Sequence, residues 1–155
     1  MSVEDNKQRS IRFHDEVIVG QNFDVARELL APDLQHARGA IGYTMRAMSP
    51  SGVAALQGLQ GPERFIAATK LLRSLFPEWN STLDEIIAEG DKVVTKCTVR
   101  GRDIGGFLGT GPAGGGAFEL DQMIIQTFRD GKIVKIYALS DELGFWRAMG
   151  AELPA

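Results

Sequence analysis

The stretch "FRDGKIVKIYALSDELG", residues 128–144, decides the fold. Arg129-Asp130-Gly131-Lys132 carries the Asp-Gly pair of a tight hairpin. Beyond it the residues alternate with a period of two. On an unbroken strand, Ile133, Lys135, Tyr137, Leu139 and Asp141 share one face, because successive side chains point to opposite sides. Four of those five have large, mostly apolar bodies. Asp141 ends the row and stands directly before a helical run, "ELGFWRAMG". A carboxylate there is a helix N-cap or a chemical group at a pocket, and both readings stay open.

Upstream of the hairpin, "FELDQMIIQTF" reads as its first strand, with Asp121, Met123, Ile125 and Thr127 at one parity. "KVVTKCTVRG" precedes it, with Val93, Thr95, Cys97 and Val99 on one face and Val94, Lys96, Thr98 and Arg100 on the other. "STLDEIIAEGD" is a further strand, turning at Glu89-Gly90-Asp91. Before residue 77 the period is helical. Ile11, His14, Val17 and Ile18 recur at helical spacing, and Gly20 stops that helix. Asp24 can cap a short second helix carrying Val25, Leu29 and Leu30, which Pro32 breaks. "ARGAIGYTMRAMSPSGVAALQGLQ" has no firm period and reads as irregular. Gly61-Pro62-Glu63 opens a third helix that turns Phe65, Ile66, Thr69, Leu72, Leu75 and Phe76 inward, and Pro77 ends it. Helices first and hairpin-linked strands later predict an α+β fold with an antiparallel sheet, one domain spanning residues 1–155.

Composition narrows the function. The 155 residues are 44% hydrophobic and 24% charged, close to the soluble average, with a net charge of −3. The charges are scattered, without the clustered Lys/Arg footprint of a nucleic-acid binder. No apolar run approaches a membrane span and no secretion signal opens the chain, so the expectation is a cytoplasmic protein with neither nucleic-acid nor membrane partner. The single cysteine, Cys97, rules out an internal disulfide and a cysteine-based metal cluster. Gly109-Thr110-Gly111-Pro112-Ala113-Gly114 spells G-x-G-x-x-G, but it leads into a strand and holds a proline. A long hairpin loop, able to act as a flap over a pocket, fits better than a dinucleotide fingerprint.

Five pieces, in order, carry a resemblance: "LLAPDLQH" ending at His36, "GPERFIAATKLLRSLFPEW", "IIAEGDKVVTKCTVRG", "GGFLGTGPAGG" and "FRDGKIVKIYALSDELGFWRAMG". From about Ile11 to Leu153 the chain resembles the SnoaL-like polyketide cyclases, within the nuclear transport factor 2 and ketosteroid isomerase superfamily. The resemblance implies a cone: a strongly curved antiparallel sheet wrapped around N-terminal helices, the cystatin-like α+β barrel, with a pocket in its mouth. It implies a homodimer paired through the outer face of the sheet, a small hydrophobic ligand, and an aldol cyclisation without metal or cofactor. Asp141 matches the family's inward acid/base residue. His36 at the pocket mouth and Asp121 join it as candidate catalytic residues. Tyr137, Thr127, Met123, Ile125, Leu139, Thr95, Cys97, Val99, Asp103 and Phe107 are the expected substrate-binding set. Asp103, in "GRDIGG", stands near where many members carry a pocket histidine, and that departure weakens any mechanism needing an imidazole there.

An aldol cyclisation takes a proton from a carbon beside a carbonyl and later protonates an alkoxide. A carboxylate does both best when burial brings its pKa nearer neutrality, the direction expected for Asp141 among Tyr137, Leu139, Met123 and Ile125. Relatives that open epoxides pair an Arg and an Asp on the strand reading "TKCTV"; those positions hold Cys97 and Val99, which disfavours that reaction. The leading expectation is an acid/base cyclase or isomerase acting on a hydrophobic carbonyl compound. The alternative is a non-catalytic small-molecule binder or dimeric adaptor on the same fold.

Overall fold

The protein is described from a computed structural model that covers residues 2–38, 49–102 and 116–150. Asp103, Phe107 and the Gly109–Gly114 run lie outside the described residues. Helix α1 spans Val3–Arg12, opened by a capping box in which Ser2 and Asp5 satisfy each other's backbone N–H groups. It runs on into a wider π-helical segment, Phe13–Val19, that ends at Gly20. Helix α2 spans Phe23–Leu29 and is capped by Asn22 rather than by Asp24, which lies in its first turn. The short α3 (Pro50–Ala54) falls in the segment expected to be irregular, and α4 spans Gly61–Leu75.

Four strands follow as an antiparallel meander: β2 (Asn80–Glu89), β3 (Lys92–Arg102), β4 (Ala117–Arg129) and β5 (Lys132–Ser140). A fifth strand, β1 (Leu30–Arg38), takes the edge beside β5 and runs parallel to it, giving the order β1-β5-β4-β3-β2. Its sequence, "LAPDLQHAR", has no alternation to betray it, and Pro32 is tolerated because the strand is an edge. Gly61 joins this edge to α4. Its φ is +53°, and a Cβ there would collide with the Pro32 carbonyl oxygen, so glycine alone fits without strain. Helix α5 (Glu142–Ala148) follows β5.

The helices cover one face of the sheet, and the core has two parts. One joins Phe13, Val17, Leu29 and Phe65 to Val93, Phe128, Ile133 and Ile136. The other is an aromatic end where Phe76, Phe118 and Phe145 meet edge-to-face with ring centroids 4.9–5.7 Å apart. Trp79 belongs to it, as a packing residue.

Strand β5 corrects the expected facing. Phe128 pairs with Ile133, but Thr127 pairs with Lys135, so Val134 is an extra residue with no partner of its own. This bulge reverses the parity of everything after it. Ile133, Ile136 and Ala138 point into the core, while Lys135, Tyr137 and Leu139 point out. Along β4 the buried residues are Phe118, Leu120, Gln122, Ile124, Gln126 and Phe128. Met123, Ile125 and Thr127 therefore face outward, not into a pocket. Strand β3 faces as the pattern predicts, with Val93, Thr95, Cys97 and Val99 all buried. No helix among the described residues is long and apolar enough to cross a membrane.

Candidate functional site

The inner surface of β1, β4 and β5 and the facing side of α4 leave an enclosed hollow. Its walls are Ile124, Ile136 and Ala138 from the sheet, Phe65 and Leu72 from α4, Phe13 and Ile18 from the π-helical segment, and Trp79. Four polar side chains break this apolar lining: His36, Thr69, Arg73 and Gln122. The free space is about 450 Å³ including the opening, yet the centre of a water-sized sphere fits into only about 20 Å³ of it. That is room for roughly one water, so a ring system enters only if wall side chains change rotamer. Wider depressions exist, but they are open to solvent and charged, such as the one lined by Asp5, Arg9, Arg12 and Glu28.

Each polar group is held by its element. His36 is on β1 opposite Ile136, half-buried, with its ring 5.0 Å from that of Phe65. Gln122 is buried on β4, and its amide Nε2 donates to Ser140 Oγ at 2.9 Å across the ladder. Thr69 and Arg73 lie one turn apart on α4, hence on one face. The Thr69 hydroxyl is buried and has no hydrogen-bond partner. The Arg73 guanidinium donates to the carbonyl oxygens of Ile18 and Trp79, clipping the π-helical segment to the loop after α4. Desolvation pulls it below the ordinary arginine pKa.

The expected site residues separate into two groups. His36 lines the hollow. Asp141 does not point into a greasy row: its carboxylate is exposed and accepts the Gly144 N–H at 2.9 Å, capping α5. Its backbone N–H donates to the Asp121 carbonyl oxygen, and it sits one residue past Ser140, the residue that accepts from the Gln122 amide. Asp121 is on the outer face, where Lys96 bridges its carboxylate, at 2.9 Å, and that of Asp84, at 3.0 Å. Tyr137, Leu139, Met123, Ile125 and Thr127 also lie on the outer face, placed there by the bulge in β5 and by the matching parity of β4. Thr95, Cys97 and Val99 face inward but pack in the core away from the hollow's lining. Burial pushes the Cys97 thiol's pKa up, against hydrogen bonds with Thr95 and Ser81.

Pattern reading missed Arg73 and Gln122. Arg73 was legible as the residue four after Thr69 on an inward helical face; Gln122 was hidden by the parity error. It also passed over a buried polar chain in which His14 Nε2 lies 3.1 Å from Ser81 Oγ and Nδ1 lies 2.7 Å from Asp15 Oδ1. That chain is separate from the hollow's lining. Among the described residues no group of three or more His, Cys, Asp or Glu stands close enough to hold a metal.

The family model described as SnoaL-like polyketide cyclase matches residues 8–149. Among solved structures, IdmH of Streptomyces antibioticus, a candidate polyketide cyclase, superposes with a TM-score of 0.73 at 22% identity, over 94% of this chain and 99% of its own. TsrD of Streptomyces laurentii gives 0.73 at 25% identity, over 98% and 99%. An NTF2-like protein of unknown function from Burkholderia pseudomallei K96243 gives 0.71 at 22%, over 97% and 100%. No curated protein matches the chain significantly.

Proposed function

The chain belongs to the SnoaL-like polyketide cyclase family, and from that premise we propose that it is an acid/base enzyme that cyclises or isomerises a hydrophobic carbonyl compound in the hollow between α4 and the sheet. The observation that carries this reading is the placing of His36 in the largely apolar lining that also holds the Gln122 amide. Among the described lining residues only His36 and Arg73 are ionisable, and a guanidinium does not give up its proton in a protein. Imidazole, by contrast, ordinarily titrates near neutrality and both takes and returns a proton.

In the proposed reaction His36 removes a proton from the carbon beside a carbonyl. The electron pair moves to the carbonyl oxygen, forming an enolate. The second hydrogen of the Gln122 amide, the one not given to Ser140, is assigned to that oxygen. In a cyclisation the enolate carbon attacks a second carbonyl of the same molecule, and the imidazolium returns its proton to the new alkoxide. Every step is a proton transfer or a carbon–carbon bond formation. Asp141, turned to solvent, is assigned the cap of α5 in place of the acid/base role.

The test is deuterium exchange. A panel of hydrophobic ketones and linear poly-β-ketones in D₂O is followed by NMR for loss of the proton beside the carbonyl and by chromatography for ring closure. Exchange that depends on His36 supports the reading; binding without exchange for the whole panel returns the chain to the binder alternative. We also propose a homodimer through the outer face of the sheet. Met123, Ile125, Tyr137 and Leu139 form an apolar patch on that face, each 38–53% exposed, which a second copy would cover.

A further inference from the structure

We propose that the hollow takes a hydrophobic acid as its anion, with the substrate's carboxylate held by Arg73 and Thr69. The proposal rests on the reading of the hollow as a substrate site and names the substrate class.

Arg73 differs from the arginines that pair with acids on the surface. Arg12, Arg27, Arg100 and Arg129 each reach a carboxylate within 3.0 Å, on the exposed surface. Arg73 is half-buried against the hollow and meets no carboxylate among the described residues. Its two hydrogen bonds go to backbone carbonyl oxygens. A guanidinium has five N–H donors, so three remain. The described lining holds no acidic side chain to offset the positive charge.

Thr69 supplies an independent observation. Its residue is only 4% exposed, its hydroxyl has no partner, and it lines the same hollow one turn before Arg73. A buried hydroxyl left unpaired is costly, and polar groups in that state await a ligand or water. Together the two side chains offer a charge and an O–H donor from one helical face, the pattern that recognises a planar carboxylate. An enolate formed in the reaction is too short-lived to serve as the counter-ion of the resting complex. A carboxylate on the substrate serves throughout, and the apolar walls take the carbon skeleton.

The test uses 1-naphthoate and its methyl ester, which share a ring system and differ in charge, with affinity read by calorimetry and by the fluorescence of Trp79, a wall residue. Wild-type protein is expected to bind the acid at least tenfold tighter than the ester, with the preference falling as salt rises. Arg73→Met should bring the ratio near one while leaving ester affinity within threefold. Thr69→Val should weaken the acid alone, by threefold to tenfold. If loss of the clip to Ile18 and Trp79 prevents Arg73→Met from folding, the wild-type ratio and Thr69→Val decide. Equal affinities for acid and ester in the wild type overturn the inference and leave the hollow as a site for neutral ligands. Binding of neither compound overturns both the inference and the reading it rests on.

Discussion

The Asp141 carboxylate accepts the backbone N–H of Gly144 at 2.9 Å, so the residue that strand alternation aims at a pocket closes the first turn of α5 instead. That helix carries Phe145 into the aromatic end of the core, with Met149 just beyond it. Asparagine caps about as well as aspartate, whereas alanine gives up about 1 kcal/mol. Urea denaturation should therefore find Asp141→Asn within about 0.5 kcal/mol of wild type and Asp141→Ala lower by about 1 kcal/mol. Deuterium exchange by Asp141→Asn should stay within about tenfold of wild type. A drop beyond about a hundredfold would transfer the acid/base role to Asp141.

His36→Gln keeps a polar side chain of similar reach and removes the titratable ring. Exchange and ring closure should fall by roughly 10²–10⁴, the usual range for loss of a positioned acid/base group. Circular dichroism should remain unchanged. Unaltered turnover in the folded variant would discard the assignment.

Asp84 couples acid stability to the outer face. Its carboxyl is held below the ordinary pKa, first by the Thr98 hydroxyl at 2.7 Å and then by Lys96 at 3.0 Å. A folded-state pKa below the unfolded value stabilises above the unfolded pKa of roughly 4, and the contribution disappears as pH falls through the lower folded value. Stability of the wild type should thus decline in that window, and Asp84→Asn should decline less steeply there. Denaturation curves taken between about pH 2 and pH 6 check the slope; identical slopes would show that the pair contributes nothing.

Cys97 is fully buried, and its thiol pKa is raised chiefly by that burial. The thiolate is the reactive form. Ellman's reagent at mildly alkaline pH should leave the native protein unlabelled and modify it once urea unfolds the sheet. Fast labelling of the native state would mean that β2 and β3 part readily.

Leu139 and Met123 pair directly across β4 and β5 on the outer face. Sedimentation should find a dimer for wild type and a monomer for Leu139→Glu or Met123→Lys, with the hollow's ligand affinity retained. A wild-type monomer at micromolar concentration would remove the dimer proposal.

Much of the fold was legible because local chemistry declares it. Gly20, Pro77 and the Gly90 and Gly131 turns mark boundaries that the structure respects, and β3 alternates cleanly because its outer face is polar at Lys96, Thr98 and Arg100. Strand β4 was ambiguous: Met123 and Ile125 outside are as apolar as Ile124 and Phe128 inside, so hydrophobicity could not choose the face. Strand β5 misled because Val134 looks like any other strand residue; only its missing partner in β4 reveals the bulge. His36 was found through resemblance, since nothing in "APDLQH" announces an inward imidazole. Arg73 needed its helix neighbours: a cation on the face that carries Phe65, Thr69 and Leu72 is informative only when no acid meets it.

The unpartnered Val134 has an evolutionary corollary. Losing that one codon would remove the bulge and leave the facing of Lys135 to Ser140 unchanged, because Lys135 already pairs with Thr127 and Ile136 with Gln126. A relative without that residue would keep the same β5 lining while its residue count along the strand shifts by one. Pairwise comparisons that align β5 without a gap at this point would equate lining positions with exterior ones.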